Sequence, residues 1–198
     1  MFTDAPLLSG TTIRLEPLTL DHVPGLCAVG LDPELWRWMT SRVDDEADME
    51  RYVRTALRAY ESGTALPFAT VEQASGRVIG STRFGAIARP FRRVEIGWTW
   101  IARPWQRTAV NTEAKYLMLR RAFEVEDCIR VEFKTDVLNT ASRNALLRIG
   151  AQEEGVLRDH VITERGRVRD TIYFSILARE WPAVKSMLEQ RLARSISG

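Results

Sequence analysis

The chain has 198 residues, of which 45% are hydrophobic and 27% charged, and these values suit one domain with its own core over residues 1–198. Its net charge of +2 is too small to favour nucleic acid or an anionic membrane as the main partner, and no segment reaches the roughly 18 apolar residues of a membrane span. The start has no recognisable signal peptide, and Cys27 and Cys128 have neither metal-ligand nor CxxC spacing, so we expect a cytoplasmic protein with no metal site.

The first half of the chain predicts strands and helices in succession. Alternating residues predict a strand over 12–18, and Asp21 with Pro24 predicts the start of a helix. A short helical stretch follows over 34–39, and an apolar stripe predicts a longer helix over 44–63 that Gly63 ends. Two strands over 66–72 and 78–84, a connecting loop over 87–93 and a strand from 94 to 101 come next.

A polar loop then joins the strand at 94–101 to a helix. Val94, Ile96, Trp98 and Trp100 alternate with polar residues or glycine, and Pro104 breaks the strand. From residue 112 to about 126 the apolar residues recur with a helical period, which leaves Glu113 mostly off the apolar face. The free N–H groups at the start of such a helix favour an anion, and phosphate suits them best.

The second half predicts a strand over 129–136 and a helix over 139–149 with a cap at Asn139 or Thr140 and an end at Gly150. Strands over 157–162 and 171–177 and a helix from about residue 181 complete the chain. The order of elements predicts a mixed α/β domain, α+β-like in its segregation of strands.

The stretch WQRTAVNTEAKYLMLRRAF, which covers this loop and helix, resembles the acetyl-CoA loop and helix of the GCN5-related N-acetyltransferases (GNAT). The segments TTIRLEPLTLDHV, LNTASRNALLRIGAQEEGVLRDH and RDTIYFSIL resemble further family motifs, so that the likeness covers about the whole chain. It is greatest to the branch that includes the ribosomal-protein N-terminal acetyltransferases. The resemblance implies a central, mostly antiparallel sheet that splays at a cofactor cleft, with helices on both faces.

The cofactor loop departs from the family pattern Gln/Arg-x-x-Gly-x-Gly/Ala at two positions. Ala109 stands where the first glycine is expected and Asn111 where glycine or alanine is expected. Because alanine tolerates a positive φ poorly, Ala109 must have ordinary dihedral angles. Asn111 could also cap the helix and compete with a phosphate. The Thr-x-x-Asn-x-Glu pattern is interpreted as an altered loop, and the resemblance assigns cofactor binding to Trp100, Ile101, Gln106, Arg107, Thr108, Ala109, Val110, Asn111 and Thr112.

The implied reaction is attack of an amine on a thioester, and Glu95 is the candidate base or water-positioning group. Its alternative is a rim carboxylate paired with Arg92 or Arg93. An α-amino group with a pKa near 8 is roughly a tenth neutral at pH 7, whereas a lysine is far less so, and therefore depends more on a base or a desolvating pocket.

Ser142 is the candidate hydrogen-bond donor to the leaving thiolate, by its likeness to the serine of the family's Asn-x-x-Ser helix. Its alternative is an ordinary serine in the first turn of a helix. Asn139 is expected to contact the pantetheine arm, or to serve only as a cap. Arg143 could reach the cofactor phosphates, or be a solvated helix arginine.

The sequence therefore predicts direct transfer of an acetyl group from acetyl-CoA, as co-substrate, to a primary amine. The resemblance favours a protein N-terminal α-amino group, while a small amine stays open. Two alternatives remain: the same fold with another acyl-CoA such as succinyl-CoA, and a non-catalytic acyl-CoA-binding or interaction protein. A homodimer is compatible with the family, although the sequence reveals no interface.

Overall fold

The computed structural model describes residue 2 and residues 4–196. Its strands are β1 (Leu8–Ser9), β2 (Ile13–Pro17), β3 (Leu66–Glu72), β4 (Val78–Ala88), β5 (Arg93–Ile101), β6 (Arg130–Asp136), β7 (Gln152–Ile162) and β8 (Val168–Leu177). Its helices are α1 (Val23–Gly30), α2 (Pro33–Trp36), α3 (Glu46–Glu61), α4 (Val110–Arg120), α5 (Thr140–Arg148) and α6 (Trp181–Ile196). A π-helical turn, Arg121–Val125, continues α4.

The eight described strands form one sheet in the order β1-β2-β3-β4-β5-β6-β8-β7. Among these pairs, only β5 and β6 run parallel, and they pair over three positions, from Arg93 with Arg130 to Glu95 with Glu132. Beyond Glu95 and Glu132 the register has no further pair, and the two strands separate. The mostly antiparallel sheet with one splayed seam confirms the predicted fold class.

Helices cover both faces of the sheet. One apolar cluster joins α4, α5 and α6 to the sheet through residues such as Leu117, Leu146 and Leu188. A second cluster lies on the opposite face and includes Leu26 of α1, Trp36 of α2 and Val53 of α3. None of the described helices combines the length and the apolar character that crossing a bilayer requires. The two apolar layers are not closed at the gap between β5 and β6.

A bulge interrupts β5 and overturns the simple alternation predicted for that strand. Arg83 of β4 pairs with Gly97 of β5, and Ser81 pairs with Trp100. Between these pairs, two residues of β5, Trp98 and Thr99, lie opposite one residue of β4. Trp98 lies at the extra position with a φ of 49°. As a result Ile96 packs in the cluster with α4, whereas Trp100 packs on the opposite face with Trp36. The sequence pattern could not reveal this change of face, because every second residue still looks apolar.

Several element boundaries also differ from the predictions. Strand β4 continues to Ala88 through part of the predicted loop, with a register shift between Gly85 and Ala88. Strand β7 begins at Gln152, five residues early, because its first half is exposed and carries no apolar alternation. The two-residue strand β1 was too short to predict. Gly63 and Gly150 have φ values of 69° and 90°, so both predicted helix ends are confirmed.

Helix α4 is tied to the start of the sheet by one buried carboxylate. Glu113 accepts hydrogen bonds from the backbone N–H groups of Thr11 (2.7 Å), Thr12 (2.8 Å) and Ile13 (2.8 Å). A Cβ atom at Gly10 would come within 2.5 Å of the Glu113 Cδ, so glycine is needed for this approach. The prediction that Glu113 lies off the buried face was therefore wrong. The side chain is buried because it serves three backbone donors rather than solvent.

Candidate active site

The separation of β5 and β6 opens a cleft of about 1710 Å³. Its walls include Ile96 to Ile101 of β5 and Phe133 to Thr135 of β6. The loop before α4 closes one end, and the first turn of α5 lies beside it. Residues after α2, among them Trp38, also line the cleft together with β8. The cleft is thus bounded by the parts of β5 and β6 that do not pair with each other, and by the start of α4.

The loop before α4 adopts the shape of an anion-binding turn without glycine. Arg107 has the positive φ, 62°, while Ala109 has ordinary angles (φ −66°, ψ −18°), as the sequence required. Ala109 is the residue before the helix, so α4 begins at Val110 rather than at the predicted residue 112. Asn111 lies inside the first turn and does not cap the helix, so the predicted competition with a phosphate is absent. This end of the cleft can offer N–H groups to an anion.

Side chains of the loop hold it in place. The Gln106 side chain donates from Nε2 to the Ile101 carbonyl oxygen (2.8 Å), and the Thr108 hydroxyl donates to the Trp105 carbonyl oxygen (2.7 Å). Thr108 Oγ1 also accepts from the Val110 N–H at 3.3 Å. These contacts leave the following N–H groups of the first turn directed along the helix axis, where the helix dipole favours negative charge.

The charged residues of the cleft are mainly basic. Two of its described lining residues, Glu34 and Glu95, are acidic. Eight are basic, although the whole chain has a net charge of only +2. The cleft therefore concentrates positive charge and suits an anionic ligand. The eight are Arg103, Arg107, Lys115, Lys134, Arg148, Arg169, Arg191 and Arg194.

Glu95 lies in the cleft and is buried, with 6% of its surface exposed. Its Oε2 pairs with Lys134 Nζ of β6 at 2.8 Å. Burial raises the pKa of Glu95, and Lys134 opposes that rise. The alternative pairing with Arg92 or Arg93 is wrong, because Arg92 pairs with Asp127 and Arg93 with Glu132. Glu95 is a desolvated carboxylate that pairs with the ammonium group of Lys134.

Asn139 and Ser142 meet at the start of α5. The Asn139 Oδ1 accepts from the Ser142 N–H at 3.1 Å, which confirms the predicted cap. Both residues line the cleft. The cap occupies the Asn139 oxygen and the Ser142 backbone. The Asn139 amide nitrogen and the Ser142 hydroxyl are therefore the atoms of this turn that can serve a ligand in the cleft.

The described lining of the cleft includes Glu95, Ser142 and nine of the eleven predicted cofactor-binding residues. Val110 and Arg143 are the two that do not line it. Val110 is buried in the apolar core, and Arg143 donates to the Val137 carbonyl oxygen and lies 3.8 Å from Glu153. The nine are Trp100, Ile101, Gln106, Arg107, Thr108, Ala109, Asn111, Thr112 and Asn139.

Lys115 of α4 is a cleft residue that the sequence did not single out. Its side chain is buried between α4 and the sheet, and Nζ donates to the Thr99 hydroxyl at 2.7 Å. Thr99 in turn shares a hydrogen bond with Thr82 (2.7 Å). Burial lowers the pKa of Lys115 to about 7. The rarity of lysine was the available clue, since two of the chain's three lysines, Lys115 and Lys134, face the cleft.

The cleft also contains polar groups of β8 that sequence reasoning missed. Arg169 and Thr171 of β8 are buried and line the cleft. Because the strand was predicted to start at residue 171, Arg169 lay outside the predicted strand. His160 lines the cleft too, and its ring lies 5.8 Å from the ring of Tyr173. Lys134 Nζ lies 4.9 Å from the centre of the Tyr173 ring. These groups surround Glu95 on the side of the sheet that α4 does not cover.

Comparison with known proteins gives a consistent result. The family model described as "Acetyltransferase (GNAT) domain" matches residues 12–152. A crystal structure of a GCN5-related N-acetyltransferase from Brucella melitensis is 30% identical and superposes with a TM-score of 0.89, covering 97% of this chain and 87% of that one. The "Uncharacterized N-acetyltransferase p20" of Bacillus licheniformis is 28% identical over 85% of this chain and 94% of its own.

A further relative from Bacillus subtilis is named "Putative ribosomal N-acetyltransferase YdaF" and is 37% identical over 48% of this chain and 50% of its own. RimJ of Mycobacterium smegmatis, solved with CoA-disulfide, is 22% identical and has a TM-score of 0.78, covering 93% of this chain and 91% of that chain. At that identity the likeness to RimJ concerns the fold.

Proposed function

Because the chain belongs to the GNAT acetyltransferase family and is an acyltransferase of that family, we propose that it transfers an acetyl group from acetyl-CoA to a primary amine. The observation that carries this proposal is the basic cleft between β5 and β6, which the helix start of α4 closes at one end. A thioester of CoA combines phosphates with a long amide-bearing arm, and the cleft offers counterparts to both. CoA-disulfide in the RimJ structure supports the same ligand class.

The residues of the chain divide the work along the cleft. We propose that the loop 106–112 receives the phosphates through its N–H groups and the nearby arginines. The backbone of β5 from Trp98 to Ile101 and the amide of Asn139 line the path of the pantetheine arm. A backbone N–H of β5 near the bulge would donate to the developing oxyanion. When bound, the co-substrate supplies the activated thioester.

Two side chains serve the proton transfers in this proposal. Glu95, alone or through a water molecule, accepts the proton that the attacking amine loses, since burial has raised its pKa. The Ser142 hydroxyl donates a hydrogen bond to the departing thiolate. The acceptor amine must then lie near Glu95. The relative named as a ribosomal N-acetyltransferase supports a protein N-terminal α-amino group as the acceptor.

Acetyl-CoA is expected to raise the melting temperature of the protein. At about a hundred times its dissociation constant, the ligand should stabilise the folded state by roughly 2.7 kcal/mol. Release of free CoA thiol in the presence of peptides with free N-termini would then report turnover. Absence of both the thermal shift and thiol release would refute the proposal, while a shift without turnover across peptides and small amines would favour the non-catalytic alternative.

Ser142→Ala should lower kcat about 10- to 100-fold while leaving the Kd for acetyl-CoA within about twofold, because the lost hydrogen bond forms mainly in the transition state.

Glu95→Gln should lower kcat and remove the acidic limb of the pH dependence of kcat. Thr140→Ala is the matched control for both variants. Thr140 lies two residues before Ser142 on α5 and does not line the cleft, so this variant should keep full activity. An unchanged kcat in both site variants would exclude these roles.

A further inference from the structure

We propose that Arg169 and Thr171 of β8 form a carboxylate-binding subsite in the cleft. The proposal rests on the transferase function given above and specifies one of its substrates. The substrate carboxylate belongs either to the amine acceptor or to the acyl group of the donor. In both cases the shared chemistry is a single carboxylate held by a guanidinium and a hydroxyl.

Arg169 is buried, with 8% of its surface exposed, and it lines the cleft. Its described hydrogen bond is a long one, from Nη1 to the Trp38 carbonyl oxygen at 3.4 Å. Within the described part of the chain its Nε has no hydrogen-bond partner. A buried guanidinium has five N–H donors to satisfy, so this side chain is built for a partner that the chain itself does not supply.

Thr171 stands two residues along the same strand and therefore on the same face of the sheet. It is 1% exposed, and its hydroxyl lacks a hydrogen-bond partner among the described residues. Two residues that line the cleft thus each carry a buried polar atom without a partner among the described residues. Leaving such groups buried and unpaired costs free energy, which a ligand that bonds to both would recover.

Asp136 and Glu95 lie near enough to favour the charge of Arg169, but each is paired directly with another group. Asp136 accepts from Arg167 through Oδ2 and from the Leu138 N–H (2.9 Å) through Oδ1. Glu95 is paired with Lys134. Arg169 itself is in no ion pair within 4.0 Å among the described residues. Arg169 therefore has no direct carboxylate partner among the described residues, whereas Arg167, which precedes β8, already has one.

A carboxylate fits this subsite better than a phosphate does. The planar guanidinium edge matches two carboxylate oxygens, and the third donor is a single hydroxyl. A dianionic phosphate would require more positive charge than one guanidinium supplies. Because Arg169 and Glu95 occupy the same polar part of the cleft, a substrate bound there would place its carboxylate near the reacting amine or acyl group.

The test compares matched pairs of substrates in the wild type and in Arg169→Gln. The acceptor pair is an amine bearing a carboxylate and the same amine bearing a carboxamide, and the donor pair is succinyl-CoA and acetyl-CoA. We expect the wild type to prefer one carboxylate-bearing member about 10- to 100-fold in kcat/KM, and Arg169→Gln to abolish that preference. A preference within the acceptor pair assigns the carboxylate to the amine, and one within the donor pair assigns it to the acyl group.

A binding measurement keeps the inference separate from catalysis. Succinate and succinamide are titrated by NMR into the wild type, with and without CoA, and succinate should bind at least about tenfold more tightly. Arg169→Gln and Thr171→Val should reduce that difference, and Arg158→Gln, an exposed arginine on neighbouring β7, should keep it.

Three outcomes would overturn the inference. In the first, the wild type shows no preference for carboxylate in either substrate pair or in the titration. In the second, Arg169→Gln lowers all rates equally. In the third, the preference survives in Arg169→Gln. Thiol release without any carboxylate preference would refute the subsite and leave the transferase function intact. Selective binding of succinate without thiol release from any substrate pair would refute the transferase function and leave the subsite intact.

Discussion

Glu113→Ala is expected to lower the free energy of unfolding by about 3–5 kcal/mol, because it removes the common acceptor of three backbone N–H groups. For a chain of this size the loss corresponds to a fall in melting temperature of roughly 10 °C or more. Chemical denaturation followed by circular dichroism would measure it. The turn that joins β1 to β2 should lose its attachment to α4 first.

Glu113→Gln provides a milder form of the same test. It keeps one acceptor oxygen but directs an amide NH₂ group at backbone donors. Its free energy of unfolding should therefore lie between that of the wild type and that of Glu113→Ala. Glu61→Ala, at the exposed end of α3, should change stability by less than about 0.5 kcal/mol. Equal stabilities of Glu113→Ala and Glu61→Ala would contradict the anchoring role.

Lys115→Met is expected to stabilise the protein at neutral and acidic pH by several kcal/mol, because one pKa unit corresponds to about 1.4 kcal/mol. Burial lowers the pKa of Lys115 from 10.5 to about 7, so below pH 7 the folded chain bears the whole cost of a buried ammonium group. Between pH 7 and 10.5 the unfolded chain holds more protons at this residue than the folded chain does. The stability of the wild type therefore rises with pH across that window relative to Lys115→Met.

Urea denaturation of both proteins at several pH values from 6 to 10 would measure this difference. The advantage of Lys115→Met should shrink as the pH rises and should nearly vanish by pH 10. Lys185→Met removes a lysine at the surface, where it pairs with Glu124, and should not reproduce that pH dependence. A pH-independent difference between Lys115→Met and the wild type would mean that the lysine stays protonated throughout.

Local chemistry in the sequence was sufficient to predict most of the framework. Apolar periodicity located the main helices and strands, and Asn139 and Gly150 marked the limits of α5 because cap residues act through their immediate neighbours. The constraint on Ala109 also held, since sterics restrict its backbone whatever surrounds it. Family resemblance added the splayed sheet, which no local pattern could indicate.

The features that were missed depend on contacts between distant parts of the chain. The bulge at Trp98 results from the pairing of β4 with β5, and it moves Trp100 to the opposite face from Ile96. Lys115 and Arg169 were missed because charged residues are normally exposed, and only the folded chain reveals that both are buried. The ion pair of Glu95 with Lys134 likewise requires β5 and β6 to be neighbours.

The three-position seam between β5 and β6 has a mechanical consequence. The hydrogen-bonded ladder makes β1 to β5 one plate and β6, β8 and β7 another, and the two plates share backbone bonds at one end only. Along the rest of the boundary their spacing is set by side chains and helices. A molecule bound between the two plates beyond Glu95 and Glu132 therefore contacts both of them where no backbone hydrogen bond joins them.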